Sequence, residues 1–541
     1  MKQRILLILL AITIVGSFFR LWQLGVIPAG PNWDEAAIAY NGWSIWQTRR
    51  DEWLARLPLS FRSFGDYKAP FAIYANGFFT TVFGFELWAI RLPFALSGCL
   101  SIVVFYSLLK FLWSGQTKKN HEVLEEGLPL LGALFLALSP WHLLFSRAGF
   151  ESGLALTELL IATVLFLNLI KSASVARMSY VLAVLSASFF SITFYTYHSA
   201  KLMVPLFFVF LLCVSRKSLR AVWRPVAVML ASMFILLTPF LYDSIHGEGL
   251  TRANVTIFAQ STSLVETGKI FVSNTLAQFS PNFLLFAKAD SVRHSTGTAG
   301  VLTYVVALLA LLGLLSNLLA IIKKQPATDK AARFIFVLAI GWIVSGTLPA
   351  IIGLEVPHPN RALLALPGYL LLATIGSKVL WKQLQTLPKT LRNRFTMVLI
   401  VSLSLIYFAQ IGWFLSDYFS HYQARSSQAF QDGYIELYQS VWGYLDPEKG
   451  DPVQQVVITS EYGQPYIYAL ITGKINPIAY HNGALVQFLF PDQVQLSDLD
   501  RENALVVSGK QSGLIDRTHA TKVIYSADGE PMFWLFDTRT L

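Results

Sequence analysis

Two carboxylates stand side by side at Asp34 and Glu35, a third follows at Asp66, and Lys68 comes two residues later in FGDYKAP. A carboxylate can take a proton from an attacking hydroxyl or amine, and cations can hold a phosphate as a bond to it breaks. The chain supplies such cations at intervals: Arg147 in SPWHLLFSRAGFES, His198 and Lys201 in YTYHSAK, and Arg361 in PHPNRALLALP. Arg91 and Arg293 belong to the same population. His142, His294 and His358, with Tyr40 and Tyr67, add side chains able to contact a donor or an acceptor. Asp34, Glu35 and Asp66 are therefore candidate catalytic groups, and Lys68, Arg147, His198, Lys201 and Arg361 candidate phosphate ligands. Singly, each has a plainer reading: an acidic first turn of a helix for Asp34 and Glu35, interfacial snorkelling for the arginines. A divalent metal stays open as a cofactor, with His294 and His358 as its candidate ligands, although no HxxxH or paired His-carboxylate spacing indicates a site.

What must position these residues is a membrane bundle. Of 541 residues, 54% are hydrophobic and only 14% charged, whereas soluble domains carry about a quarter charged residues. The net charge of +10 comes from small Lys and Arg clusters between apolar runs, which read as topology signals and exclude a nucleic-acid partner. Cys99 and Cys213 both sit inside apolar runs, so no disulfide framework is expected.

Eleven runs are long enough to cross a bilayer core: 4–23, 88–112, 128–146, 153–170, 179–196, 200–215, 224–242, 300–322, 333–353, 362–381 and 395–415. The first continues aromatic through VGSFFRLWQLG without a clear cleavage site, and so reads as an uncleaved helix. Clusters at Lys118 and Lys119, at Arg216, Lys217, Arg220 and Arg224, and at Lys378, Lys382, Lys389, Arg392 and Arg394 mark the cytoplasmic side. The N-terminus then lies inside, and residues 24–87, 243–299 and 417–541 lie outside, in a multi-pass protein of the cell membrane. Within 24–87, Tyr40, Trp43 and Trp46 suggest a helix lying in the membrane interface, as does APFAIYANGFFTTVFG. In 417–541 the short β-branched runs PVQQVVITS, ALVVSGK and TKVIYSA predict a small α/β domain, following a membrane domain of residues 1–416.

The order of motifs carries a resemblance. An acidic pair after the first membrane helix, then FGDYKAP, FGFELWAIRLPFALSG, SPWHLLFSRAGFE and PHPNRALLALPGYLLLA, resembles the protein O-mannosyltransferase-like glycosyltransferases. These are GT-C enzymes that use polyprenyl-phosphate sugars, and they include the aminoarabinose transferases of lipid A. The resemblance implies an inverting membrane glycosyltransferase with Asp34 as base, Glu35 beside it, and Asp66 and Lys68 as the acidic and lysine element. Tyr67 intervenes here, where many relatives have the acid directly before the lysine. The implied partners are a polyprenyl-phosphate-sugar donor, an extracytoplasmic acceptor (protein, lipid or glycan) and membrane lipids. The other class that charges in a membrane bundle allow is a flippase or transporter of lipid-linked glycans, which would place them near the midplane.

Overall fold

Apolar runs fold as helices because, in lipid, every backbone N–H and C=O must find its partner within the segment. The computed structural model describes residues 2–114, 122–172, 177–247, 255–261, 263–286, 291–324, 330–512 and 516–541; Lys118 and Lys119 lie outside them. Helix α1 (Lys2–Leu21) leads into α2 (Trp33–Thr48), a hairpin of β1 (Phe61–Ser63) and β2 (Asp66–Lys68), and α3 (Pro70–Phe83). Then come α4 (Leu87–Trp113), α5 (Glu122–Ala137), α6 (Pro140–Arg147), α7 (Glu151–Lys171), α8 (Arg177–Thr196), α9 (Ala200–Leu219) and α10 (Trp223–His246). Short helices α11 (Ile257–Gln260), α12 (Leu264–Gln278) and α13 (Pro281–Leu285) precede α14 (Tyr304–Ile322), α15 (Lys330–Ile351), α16 (Pro359–Ala362), α17 (Leu366–Gln385) and α18 (Lys389–Ser420).

Among the described residues, nine helical runs are long and apolar enough to cross a membrane, and α5 with α6, bent by 53°, makes a tenth. One of the nine spans 47 residues, from Ala200 to His246. It is not straight. The Tyr195 hydroxyl donates to the Leu236 carbonyl at 2.9 Å, and Lys201 Nζ lies 4.8 Å from the centre of the Phe240 ring. A straight helix would part residues 201 and 240 by about 58 Å, so the chain folds back at Arg220–Val222 and α9 and α10 are separate antiparallel crossings. Ten of the eleven apolar runs are thus single helical runs, and the other, 128–146, is the bent pair α5 and α6.

The C-terminal residues build a small domain on one end of the bundle: α19 (Tyr422–Ser426), α20 (Tyr434–Tyr444), β3 (Gln455–Ile458), α21 (Pro465–Thr472), β4 (Phe488–Leu489), β5 (Ala504–Ser508), β6 (Lys522–Tyr525) and β7 (Pro531–Asp537). The sheet order is β4-β3-β5-β7-β6, with β3 parallel to both its neighbours and β7 antiparallel to β5 and β6. All five residues of central β5 are buried.

This domain corrects the reading of α2 as an interfacial helix. Ala36, Ala37, Ile38, Ala39, Tyr40 and Ile45 are apolar round the whole circumference and buried, as a helix apolar on every side must be. One flank meets α3, the other α21, and the Tyr40 hydroxyl donates to the Ile475 carbonyl at 2.8 Å. Tyr40 is therefore a packing residue under the C-terminal domain and touches neither lipid nor a site. Helix α3, in contrast, keeps Phe78, Val82 and Phe83 exposed.

Candidate active site

A two-residue turn sets the first pair of groups. Phe64 and Gly65 both take positive φ, 53° and 80°, the type I′ geometry that matches strand twist and that glycine adopts without strain. It fixes the register Ser63 to Asp66, Arg62 to Tyr67 and Phe61 to Lys68. Strand alternation then turns Asp66 and Lys68 to one side and Tyr67 to the other.

The acidic pair is sorted by the start of α2. Asn32 caps the helix, accepting from the Asp34 and Glu35 N–H groups, while Glu35 reaches back to the Asn32 N–H, a reciprocal capping box. Glu35 is wholly buried. Its Oε1 accepts from Arg91 Nε at 2.8 Å and from the Gly149 N–H at 2.7 Å, and its Oε2 from Arg91 Nη2 at 3.1 Å. Arg91 in turn donates to the Leu24, Pro28 and Gly30 carbonyls. A carboxylate so enclosed ties α2 to α4, to the loop after α1 and to Gly149, and offers no oxygen to a substrate.

Asp34, one residue earlier, is half-exposed. Its Oδ1 takes a hydrogen bond from Lys68 Nζ, and Arg293 Nη1 lies 3.6 Å from its Oδ2. Arg293 stacks over the Trp33 ring at 4.7 Å and donates to the Ala429 carbonyl. Arg293 stood only in the wider population of cations at the sequence level; its place beside His294 was the one signal that could have raised it.

Asp66, His198, Lys201 and Arg361 line one open cavity of about 660 Å³, whose other walls include Tyr197, Leu202, Val255, Phe258, Pro349 and Ile352. Cations among aliphatic and aromatic walls suit an amphiphile carrying a phosphate. Arg361 Nη2 reaches Glu355 at 3.4 Å, and its guanidinium lies so close over Gly353 that a Cβ there would stand 2.3 Å from Nη1. His358 Nδ1 accepts the Arg361 N–H at 3.3 Å, capping α16, and the His358 ring lies 4.7 Å from that of His294. His294 bridges the two groups: burial, reinforced by Arg293 and Arg361 and opposed by Asp34, pushes it down to about 4. At neutral pH it carries no charge.

Two other candidates, Arg147 and His142, are structural. Arg147, expected on a phosphate, is buried and donates to the Phe19, Gln23 and Ile27 carbonyls, with Nε on the Tyr418 hydroxyl; it closes the carbonyl end of α1. His142, expected as a ligand contact, is fully buried between Arg20 at 2.7 Å and Ser101 at 3.4 Å. Tyr67 lies across the hairpin from Arg62 and outside the cavity wall. Among the described residues, no three His, Cys, Asp or Glu side chains gather as a metal site.

No protein-family model matches this sequence, and no curated protein is found to resemble it. Solved structures do. ArnT from Cupriavidus metallidurans in the apo state superposes with a TM-score of 0.55 at 13% identity, covering 98% of this chain and 97% of that one. The same protein bound to undecaprenyl phosphate gives 0.51 at 14% identity. The Archaeoglobus fulgidus oligosaccharyltransferase tethered with an acceptor peptide gives 0.57 at 12% identity, covering 98% of this chain and 74% of that one. ArnT and the oligosaccharyltransferase are GT-C glycosyltransferases. With apolar helices, one pair of them bent, along the expected crossings and a sheet domain on one end, this chain has the GT-C fold of multi-pass membrane proteins.

Proposed function

We propose that this protein is an inverting membrane glycosyltransferase that moves a sugar from a polyprenyl-phosphate donor to an acceptor outside the cell membrane. The carrying observation is the Asp34–Lys68 pair, joined between the start of α2 and the hairpin whose Asp66 lines a cavity that combines His198, Lys201 and Arg361 with apolar walls. Nucleotide sugars are cytoplasmic, so a site on the outer face needs a donor delivered within the membrane. The ArnT structure bound to undecaprenyl phosphate and the archaeal oligosaccharyltransferase in complex with a dolichol-phosphate support that reading. The positive clusters at 216–224 and 378–394, on the end away from the C-terminal domain, support a cytoplasmic N-terminus. Residues 1–416 then carry the chemistry, and 417–541 form the extracytoplasmic domain that packs over α2.

In the reaction, Asp34 accepts the proton of the acceptor hydroxyl or amine as its oxygen or nitrogen attacks the anomeric carbon. A bond forms from acceptor to that carbon, the bond from carbon to phosphate oxygen breaks on the opposite face, and its electron pair leaves on polyprenyl phosphate. Lys201, Arg361 and Lys68 stabilise the charge that grows there. Arg293 and Lys68 hold the Asp34 carboxylate in place. Glu35 we assign to positioning and Asp66 to the cavity wall beside the leaving phosphate. The test is incubation of the purified protein with a panel of polyprenyl-phosphate sugars, following release of polyprenyl phosphate by mass spectrometry. Release with one sugar is the expected result, and transport of intact donor without release would favour a flippase.

A further inference from the structure

Helix α12 is inside out for a protein in water. Its inward side is polar: Asn274 Nδ2 donates to the Ile351 carbonyl at 2.8 Å and the Gly353 carbonyl at 3.3 Å, and Gln278 Oε1 accepts the His358 N–H at 3.2 Å. Its outward side is aliphatic, with Leu264, Val265, Val272 and Leu276 exposed by 91%, 70%, 58% and 69%. Residues 265, 272 and 276 fall on one face of a 3.6-residue helix; Lys269 shares that face, where its long stem can carry the charge out to the headgroups, and Glu266 and Ser273 flank it. In water such a helix would turn the other way, because its apolar side would be buried and its amides solvated. In a lipid surface this arrangement is the stable one.

Two further observations say where that surface lies. The bonds from Asn274 reach the end of α15, a membrane-length helix, so α12 sits at the level where the bundle leaves the bilayer. The membrane-length helices before and after it in the chain are also apolar outside, with Tyr242 and Ile245 exposed on α10 and Tyr304 and Leu308 on α14. Just before α12, Val255 and Phe258 line the 660 Å³ cavity and are themselves 48% and 63% exposed. Thr256 bridges to Gly353, against which Arg361 packs. Asn274 and Thr256 both bond to the Gly353 backbone, so the exposed apolar side of α12 and the wall of the cavity that holds Lys201 and Arg361 are set against the same segment after α15.

We propose that α12 is docked in the outer membrane surface and frames a sideways doorway, through which a lipid chain passes along Val255 and Phe258 while its phosphate reaches Lys201 and Arg361. The partner of this face is the lipid bilayer. The doorway rests on the lipid-linked donor proposed above; the docking does not, and the two are tested apart. For docking, the full chain with Cys99 and Cys213 replaced by serine carries one cysteine, Val272→Cys, labelled with bimane in vesicles of phosphatidylethanolamine and phosphatidylglycerol bearing brominated acyl chains. Fluorescence quenched by the brominated lipid and spared by aqueous iodide is expected, whereas a Val486→Cys control on the C-terminal domain responds to iodide. Iodide quenching at position 272, or a disulfide-linked dimer through it, would overturn docking whether or not any sugar is transferred. For the doorway, V272E/L276E is expected to raise KM about tenfold for a long-chain polyprenyl donor, and to leave kcat and the KM of a short, water-soluble isoprenyl donor unchanged. An equal effect on both donors, or on neither, would overturn it.

Discussion

Adjacent carboxylates have opposite fates here. Glu35 is buried against Arg91, and Glu35→Gln, which leaves the guanidinium without its countercharge, is expected to cost about 3 kcal/mol of stability, read as a fall in melting temperature in detergent. Asp34→Asn sits half-exposed, so it is expected to melt within a degree or so of wild type while transfer falls at least about a hundredfold. A Gly353→Ala change drives a methyl into the Arg361 guanidinium, and donor KM is expected to rise about tenfold with the fold intact, read from initial rates across a donor titration. At this scale the sequence was half legible. Asp34 and Lys68 stood out because an acid after the first helix and a lysine after a turn recur in order. The fate of Glu35 did not, because its partners Arg91 and Gly149 lie 56 and 114 residues away and arrive only through packing. Arg147 and His142 misled for the same reason: a polar side chain near a membrane rim looks alike whether it faces a ligand or, like Arg147, a row of helix carbonyls or, like His142, a buried Arg20 and Ser101.

The elements that hold the site are short and locally specified: the Asn32 capping box, the Phe64–Gly65 turn and the His358 cap of α16. The burial of α2 was not legible, because its aromatic residues suit a lipid interface and a protein interface equally, and only the docked C-terminal domain decides between them. That contact carries a titratable group. Glu52, in the loop after α2, accepts from the Tyr466 hydroxyl at 2.6 Å, and burial pushes its carboxyl from 4.5 up to about 7, with the Tyr466 and Asn41 hydrogen bonds opposing. The folded state binds the extra proton between those values, so this contribution is full below 4.5 and is lost as pH rises through 7. Thermal melts across that window are expected to show wild type losing about 3 kcal/mol relative to Glu52→Gln; parallel curves would show that Glu52 ionises freely in the fold.

At the scale of the molecule, the eleven crossings were legible because apolar length alone decides what can sit in a bilayer, and the fold-back of α9 on α10 was visible as two runs parted by Arg216, Lys217, Arg220 and Arg224. The cavity was not, since its wall draws on β2, the α8–α9 corner, the segment before α11 and the start of α16, which no single stretch of sequence brings together. With the N-terminus inside, a cysteine at Val486 should react with an impermeant maleimide in intact cells, and one at Lys217 only after lysis; the reverse pattern would invert the topology. The most direct measurement is a donor of known anomeric configuration given to wild type and Asp34→Asn side by side, with product stereochemistry read by NMR and released polyprenyl phosphate by mass spectrometry. Wild type should yield the inverted glycoside, and Asp34→Asn should bind the donor yet form product at least about a hundred times more slowly. Retained configuration, or an Asp34→Asn enzyme turning over at the wild-type rate, would contradict the assignment of Asp34 as the base.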